Sequence, residues 1–580
     1  MNPEINIAQT AFSRSGSSLS IMIPHAAPLI GKGPPLGPGI YLRAHRCPMV
    51  ERNVFRLDFV DATGRVREPS VTATPGILTL ACGGGTVEIC FAETDTLRIR
   101  GRNAGLRLRI QSQPGIAVHP SGDRRWVINA RPSLCRFSFE PIAGKLQIDA
   151  PLKHEDGRII VVDLSPDGNG GLEAAIDVFQ STWIPRRRQR FEECVSEVTQ
   201  NFTHWLEKMP AAPEWLGEAR ALAAYVNWSS IIEPDGFITR PAMLMSKGCM
   251  DQVWSWDNCF NAMAACAGDP QLAWDQLWLM IDHQDGFGAF PDAVSPIFKH
   301  YNFSKPPVLG WALNAMIAMR PDFFSLQRLL EIYEPLGRWS RWWLAHRTAP
   351  GEALPHYLHG NDSGWDNSTM FDSGAPLIAP DLAALLVLQC DMLASIAQRL
   401  GKQGECSYWH AESARLLDAL LGELWRGDHF IARRQHDRLE VHSESLIPLI
   451  PIVLGERLPE KVRAALLRSI PGFLTANGLA TEKPSSPHYS GDGYWRGPIW
   501  APPTMLIVDG LRQIGQTQLA AGIASRFCAM CARNGFAENF DAITGKGLRD
   551  TGYTWTASVF LLLAASLDNS SPEMIPPPIQ

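Results

Sequence analysis

The stretch Gly360-Asn361-Asp362-Ser363-Gly364-Trp365-Asp366-Asn367-Ser368 sets a carboxylate beside an indole, between glycines and small polar side chains. An aromatic ring offers a surface to the apolar face of a pyranose. A carboxyl group sheltered by that ring can keep its proton and act as an acid. Taken alone, the same pair also reads as a turn over a buried Trp. Three further loop sets share its composition. One holds Trp254-Ser255-Trp256-Asp257-Asn258, with Gln284 and Asp285 following one helix later. Another holds Ser304-Lys305-Pro306-Pro307 and then Trp311. The last spans Tyr494-Trp495-Arg496-Gly497-Pro498-Ile499-Trp500, then Glu538-Asn539-Phe540-Asp541, Thr544-Gly545 and Trp555.

Two kinds of element must position these loops. Residues 20–182 read as antiparallel β. Short Val-, Ile- and Leu-rich runs alternate with turn signals, and Leu106-Arg107-Leu108-Arg109-Ile110 alternates strictly, as a half-buried strand should. Gly83-Gly84-Gly85 lacks a following helix and a Lys-Ser/Thr pair, so it reads as a hairpin turn and not a phosphate cradle. Across the basic run Pro185–Arg190, read as a solvated linker face, the apolar period changes from 2 to 3.6. Leu326, Leu329, Leu330, Tyr333 and Leu336 fall on one helical face, as do Leu382, Leu385, Leu386, Leu393, Ile396 and Leu400. Roughly a dozen such helices alternate short turns with long Gly-, Pro-, Trp- and Asp-rich loops. That alternation predicts paired helices closed into an α/α toroid, the long loops gathered at one end. The expected order is an N-terminal extension (1–19), a β-sandwich (20–182), a linker helix or junction (183–195), an (α/α)6 barrel (196–568) and a disordered tail (569–580) that includes Pro576-Pro577-Pro578.

Taken together, the motifs resemble the catalytic domain of glycoside hydrolase family 63, the processing α-glucosidases and mannosylglycerate hydrolases; trehalases are more distant kin. The resemblance covers about residues 245–565. It rests on Trp256-Asp257, Lys305-Pro306-Pro307, Ser363–Ser368, Tyr494–Pro498 and Glu538…Thr544-Gly545, in the family's order. It implies an (α/α)6 barrel behind a β-sandwich, and an inverting reaction with Asp366 as general acid and Glu538 as general base. Such a pair stands ~6.5–9.5 Å apart to admit a water. Burial against Trp365 is expected to raise the pKa of Asp366, and a more polar setting to keep Glu538 ionised. The resemblance implies that Trp256 and Asp257 contact the sugar, and the loops offer Gln284, Asp285, Lys305, Trp311, Trp365, Asn367, Tyr494, Trp495, Arg496, Trp500 and Trp555 as further candidates around the substrate. Asp362 stands where the family often has Glu, and Ala542 where Pro is common; both departures bear on the substrate and not on the reaction.

Other readings stay open. Asp257 serves equally as a helix cap, Arg496 as a loop brace, and Trp495 and Trp500 as barrel packing. Asp541, Asp550 and Asp362 compete with Glu538 as base. A non-catalytic carbohydrate-binding protein needs neither carboxyl, and a polysaccharide lyase wants a Tyr/His or Arg-rich site. The substrate class is a small α-linked glucoside or a glycosylated solute such as mannosylglycerate, glucosylglycerate or trehalose, in which Lys305 and Arg496 would meet a carboxylate. The net charge of −6 gives no basic field for nucleic acid. No apolar segment reads as long enough for a bilayer, and no leader is visible, so no membrane partner and a cytoplasmic location are expected. Cys528 and Cys531 form a lone C-x-x-C, and His356, His359 and His488 lack ligand spacing, so neither metal nor cofactor is called for. A homo-oligomer stays open.

Overall fold

The computed structural model describes residues 2–24, 36–122, 124–150 and 158–569; the expected tail, from 570 on, lies outside them. Two antiparallel sheets form the N-terminal half. The first runs Leu19–Met22, Ile40–Ala44, Asn53–Asp61, Ala104–Gln111, Ile159–Ser165, Lys145–Asp149, with Val66–Arg67 paired to Asn53–Asp61. The second holds eight strands between Ser70 and Phe179. In the strand Ala104–Gln111, Leu106, Leu108 and Ile110 are buried, while Arg107 and Arg109 reach outward to Asp163 (2.6 Å) and Asp58 (2.5 Å). Phe55 of the first sheet meets Phe137 and Phe139 of the second edge-on, at 5.0 and 5.7 Å, so the core lies between the sheets. Gly83 and Gly84, at φ 57° and 82°, make the tight hairpin turn between Ile77–Cys82 and Gly85–Glu93.

The first residues are woven into both halves. Ile5, Ile7 and Phe12 are buried, and the Tyr225 hydroxyl, from a barrel helix, meets the Ser13 N–H at 3.0 Å. The basic run is solvated only in part: Arg187 and Arg190 are exposed, whereas Arg186 and Arg188 are half-buried. Arg186 holds Asp95 (2.6 Å), and Arg188 holds Glu140 (2.7 Å) and Asp177 (2.6 Å), because the sandwich turns a row of carboxylates toward the passing chain. The helix Phe191–Lys208 then lies against the second sheet.

The C-terminal half is an (α/α)6 barrel. Six inner helices neighbour one another in a closed ring: Asp257–Cys266, Leu309–Met319, Pro380–Arg399, Ile447–Arg457, Ala501–Gln513 and Thr554–Ala564. Six outer helices alternate with them in sequence: Gly217–Ser230, Pro270–Ile281, Leu326–His346, Gln403–Ala419, Glu460–Ser469 and Thr517–Asn534. Inner helices are mostly buried; every residue of Asp257–Cys266 is, whereas Leu309–Met319 leaves Asn314 and Ala318 exposed. Outer helices bury one stripe. Leu326 and Leu330, expected on the apolar face of Leu326–His346, are exposed, because at about 100° per residue they fall to one side of the stripe set by Ile332, Trp339 and Trp343. The fourth inner segment is wound as 3-10 helix, with Pro448 in its first turn and Pro451 inside, and it kinks at Gly455 (φ 54°). The ring closes where Thr554–Ala564 meets Asp257–Cys266 and Gly217–Ser230. A buried chain of bonds stitches that seam: Asn227 to Ser558 (3.0 Å), Ser558 to Asn261 (2.8 Å) and Asn261 to Thr554 (2.9 Å).

Connections from inner to outer helices are short: 267–269, 320–325, 400–402, 458–459 and 514–516. Those from outer to inner are long: 231–256, 282–308, 347–379, 425–446, 474–500 and 535–553. Every candidate loop therefore feeds the N-terminus of an inner helix, and all meet at one end of the barrel. Pro380–Arg399 corrects one expectation: it is long and apolar enough to cross a membrane. Its apolar surface instead faces neighbouring helices on all sides, and it carries Asp381, Gln389 and Asp391.

Candidate active site

The Trp365-Asp366 loop is shaped by its glycines. Gly364 is left-handed (φ 74°), and a Cβ there would lie 2.4 Å from the Trp256 ring; a Cβ on Gly360 would lie 2.2 Å from the Asp366 carbonyl. The loop can thus fold back on itself and press against Trp256. The aromatic residues form one continuous floor. Trp495 stacks on Trp500 (3.9 Å, 8° between planes) and tilts against Trp365 (4.9 Å) and Trp256 (6.3 Å). Trp555 meets Trp256 (5.7 Å) and Trp500 (5.5 Å) edge-on. All five are buried, so Trp495 and Trp500 both pack the barrel mouth and line it. Trp311 lies one layer deeper, against Phe260, its indole N–H on Asp509 (2.7 Å). It plugs the ring.

Several expected substrate contacts are already committed to the protein. Gln284 binds the Gly288 and Pro335 carbonyls (both 2.9 Å), and Asp285 accepts from the N–H groups of Phe287, Gly288 and Ala289. Both brace their loop, because the turn leaves those backbone groups without sheet or helix partners. Arg496 is likewise a brace, held by the Asn367 carbonyl (2.7 Å) and by Asp372. The Asn367 side chain bonds Trp495 N (2.9 Å) and the Gly493 carbonyl (3.0 Å), locking the 347–379 and 474–500 loops together. Lys305 is buried between Asp292 (3.2 Å) and the Asn361 carbonyl (2.6 Å).

The carboxylates sort in the same way. Asp362 accepts from Arg347 (2.8 Å), Leu358 N and Ser304 N. Asp541 caps a turn through Ile543 N and Thr544 N, and Asp550 accepts from Cys249 N, Met250 N and Ser246. Glu538, 2% exposed, receives only the Tyr494 hydroxyl (3.2 Å) and a long approach from Asp550 N (3.5 Å). Among the described residues no side chain donates to the half-buried Asp366. Tyr494 takes the left-handed conformation (φ 64°), local strain of about 1–2 kcal/mol of the kind that gathers at functional sites.

Electrostatics bind the group into one site. Burial raises the pKa of Asp366; Lys305 opposes the rise and Asp292 adds to it. Burial also pushes Glu538 up to about 8, with Asp550 and Asp366 adding repulsion, and Asp257 up to about 8, against the pull of Lys305. The expectation of a polar setting for Glu538 is therefore corrected: the aromatic floor shelters both carboxyls. Sequence reading also missed Asp292 and the role of Asp550. Asp292 sits in Phe290-Pro291-Asp292, on a long loop feeding an inner helix, which was a usable signal.

The model of the mannosylglycerate hydrolase MGH1-like glycoside hydrolase domain matches residues 250–556. The chain belongs to that family. It is a glycoside hydrolase, similar to a mannosylglycerate hydrolase of Rubrobacter radiotolerans, 23% identical over 451 residues, 61% of this chain and 98% of that protein. Mannosylglycerate hydrolase MGH1 of Selaginella moellendorffii is 19% identical over 396 residues, 54% of this chain and 80% of its own. In fold, the glycosidase is similar to the GH63 mannosylglycerate hydrolase of Thermus thermophilus solved with Tris (TM-score 0.53, 20% identity, 58% of this chain, 98% of that one). A bacterial glucoamylase solved with acarbose covers both halves (TM-score 0.60, 12% identity, 97% of this chain, 94% of that one).

Proposed function

We propose that this glycosidase is an inverting, exo-acting hydrolase of a small α-linked glycoside. The observation that carries this reading is the sorting of the loop carboxylates. Asp362, Asp541 and Asp550 are consumed by backbone or arginine donors, whereas Asp366 and Glu538 keep open lone pairs beside one aromatic floor. Asp366, nearer solvent, protonates the leaving oxygen. Glu538 takes a proton from the attacking water on the other face of the ring. The Tyr494 hydroxyl and the Asp550 N–H aim at Glu538 as donors, which favours the carboxylate it must become. Asp257 faces the same pocket and suits the hydroxyls of the cleaved sugar. A floor plugged by Trp311 and Phe260 suits a chain end more than an internal link.

The relatives' names favour a second reading, a glycosylated small acid or polyol such as mannosylglycerate. Lys305 and Arg496 are already paired, so neither is a free cation for the carboxylate of such a substrate. The 12 cysteines are all free thiols, which suits a reducing, cytoplasmic compartment. A screen of α-linked disaccharides and glycosyl-glycerates should release a monosaccharide, the β-anomer appearing first by NMR. An α-anomer first would overturn inversion, and tight binding without release would point to a carbohydrate-binding protein.

A further inference from the structure

The family match begins at residue 250, beyond the sandwich, and nearly all of the Rubrobacter protein is accounted for by 61% of this chain. Yet the sandwich buries two arginines against the barrel. Arg43, on the strand Ile40–Ala44, donates to the Gly248 carbonyl (2.7 Å) and to that of Lys247. Arg52, just before the strand Asn53–Asp61, donates to the carbonyls of Gly248 (3.0 Å) and Cys249 (2.8 Å) and to Asp251 (2.6 Å). The other Asp251 oxygen meets His45 Nδ1 at 3.0 Å.

With its carbonyls drawn to the sandwich, the 246–251 loop turns N–H groups the other way. Cys249 N (2.7 Å) and Met250 N (2.8 Å) donate to the same oxygen of Asp550, joined by the Ser246 hydroxyl. A Cβ on Gly248 would lie 2.1 Å from Asp550, so this approach needs glycine. Asp550 in turn accepts from Glu538 N through its own carbonyl (2.8 Å) and points its N–H at the Glu538 carboxyl (3.5 Å). Buried charges persist only when paired and hydrogen-bonded, so this constellation is over-determined.

We propose that the sandwich is the positioning element for Glu538: Arg43, Arg52 and Asp251 fix the 246–251 loop, the loop fixes Asp550, and Asp550 fixes the carboxylate. The inference rests on the reading of Glu538 as the group that activates water. Arg43, Arg52 and Asp550 are positioning residues and touch no substrate. The ionisable groups facing Glu538 are Asp550, Tyr494 and Asp366, with Tyr553 and Asp257 beyond them. Removing the Asp550 charge takes away the largest repulsion on Glu538 after burial itself.

The test uses the full chain and the α-glycosyl fluoride of the sugar released in the screen, since a fluoride needs water activation but little protonation. Arg52→Lys keeps the charge but loses the forked geometry, and is expected to lower kcat about 10-fold or more with KM nearly unchanged. Asp550→Asn should move the acid limb of kcat/KM to lower pH. Arg188→Met, which loosens the sandwich at the linker, should lower Tm without changing kcat or the pH profile. An Arg52→Lys protein that behaves like Arg188→Met, with an unmoved limb in Asp550→Asn, overturns the proposal. Should Arg52→Lys fail to fold, Arg43→Lys and Asp550→Asn decide it by the same two readings. Near-normal turnover in Glu538→Gln sinks the reading of the base itself; an inactive Glu538→Gln with unaffected Arg52→Lys and Asp550→Asn sinks only the relay.

Discussion

Asp366 and Glu538 do different work on the same bond, and leaving groups separate them. Asp366→Asn and Glu538→Gln should each lower turnover by about 10²–10⁴-fold on a poor leaving group, with binding much less affected because both replacements are nearly isosteric. On an aryl glycoside or glycosyl fluoride, Asp366→Asn should recover most of its rate and Glu538→Gln should not. Equal defects on both substrates would mean that the roles are misassigned. At this scale the sequence was legible where chemistry sits in one short motif. Gly360–Ser368 held the carboxyl, the indole and the glycines that let them meet. It was not legible where a partner comes from far along the chain. Gln284, Asp285 and Arg496 have the composition of sugar-binding residues, but backbone carbonyls and N–H groups reach them first. Nothing local marks Asp550 as tied up by Ser246, Cys249 and Met250, some 300 residues earlier.

At the scale of elements, the change of period across Pro185 was readable because a strand has two faces and an outer helix a stripe. The inner helix Pro380–Arg399 was readable too, through the period of Leu382, Leu385, Leu386, Leu393 and Ile396; which helices form the inner ring was not. The prolines of Ile447–Arg457 were visible in the sequence, though the 3-10 winding and the kink at Gly455 inside the ring were not. The linker arginines misled because their carboxylate partners lie on strands that only the fold brings near. Gly364 links loop to helix, and Gly364→Ala tests that link. Its methyl would meet Trp256 at the start of Asp257–Cys266 in a backbone conformation that alanine avoids. The expected cost is about 1–3 kcal/mol in stability, read by denaturant unfolding, with a fall in kcat as Trp256 shifts. Unchanged stability and rate would show that the loop tolerates a different path.

Over the whole molecule, the site lowers stability as it gains function. Asp257 and Glu538 titrate at about 8 in the fold and Asp381 at about 7, each raised chiefly by burial above its ordinary value of 3.8 or 4.5. Between those limits the native state holds protons that the unfolded chain has released, so stability falls as pH rises. The contribution is fully present below about pH 4 and lost by about pH 8. Tm should therefore decline from about pH 5 to about pH 9, and Glu538→Gln should be the more stable protein at the upper end only. A Tm independent of pH, or an equal gain at both ends, would mean that the carboxyl is not buried as a proton-bearing group. The closure of the ring has a further consequence, for synthesis. The helix that meets Asp257–Cys266 and completes the seam with Ser558 and Thr554, Thr554–Ala564, follows the other five inner helices in sequence. A ribosome must therefore make the other five inner helices before the wall can shut. Until then the inner helices, with most of their apolar surface uncovered, stand in water as an open arc. The barrel thus closes only after its sixth inner helix has been made, and the open arc is the species most in need of a chaperone.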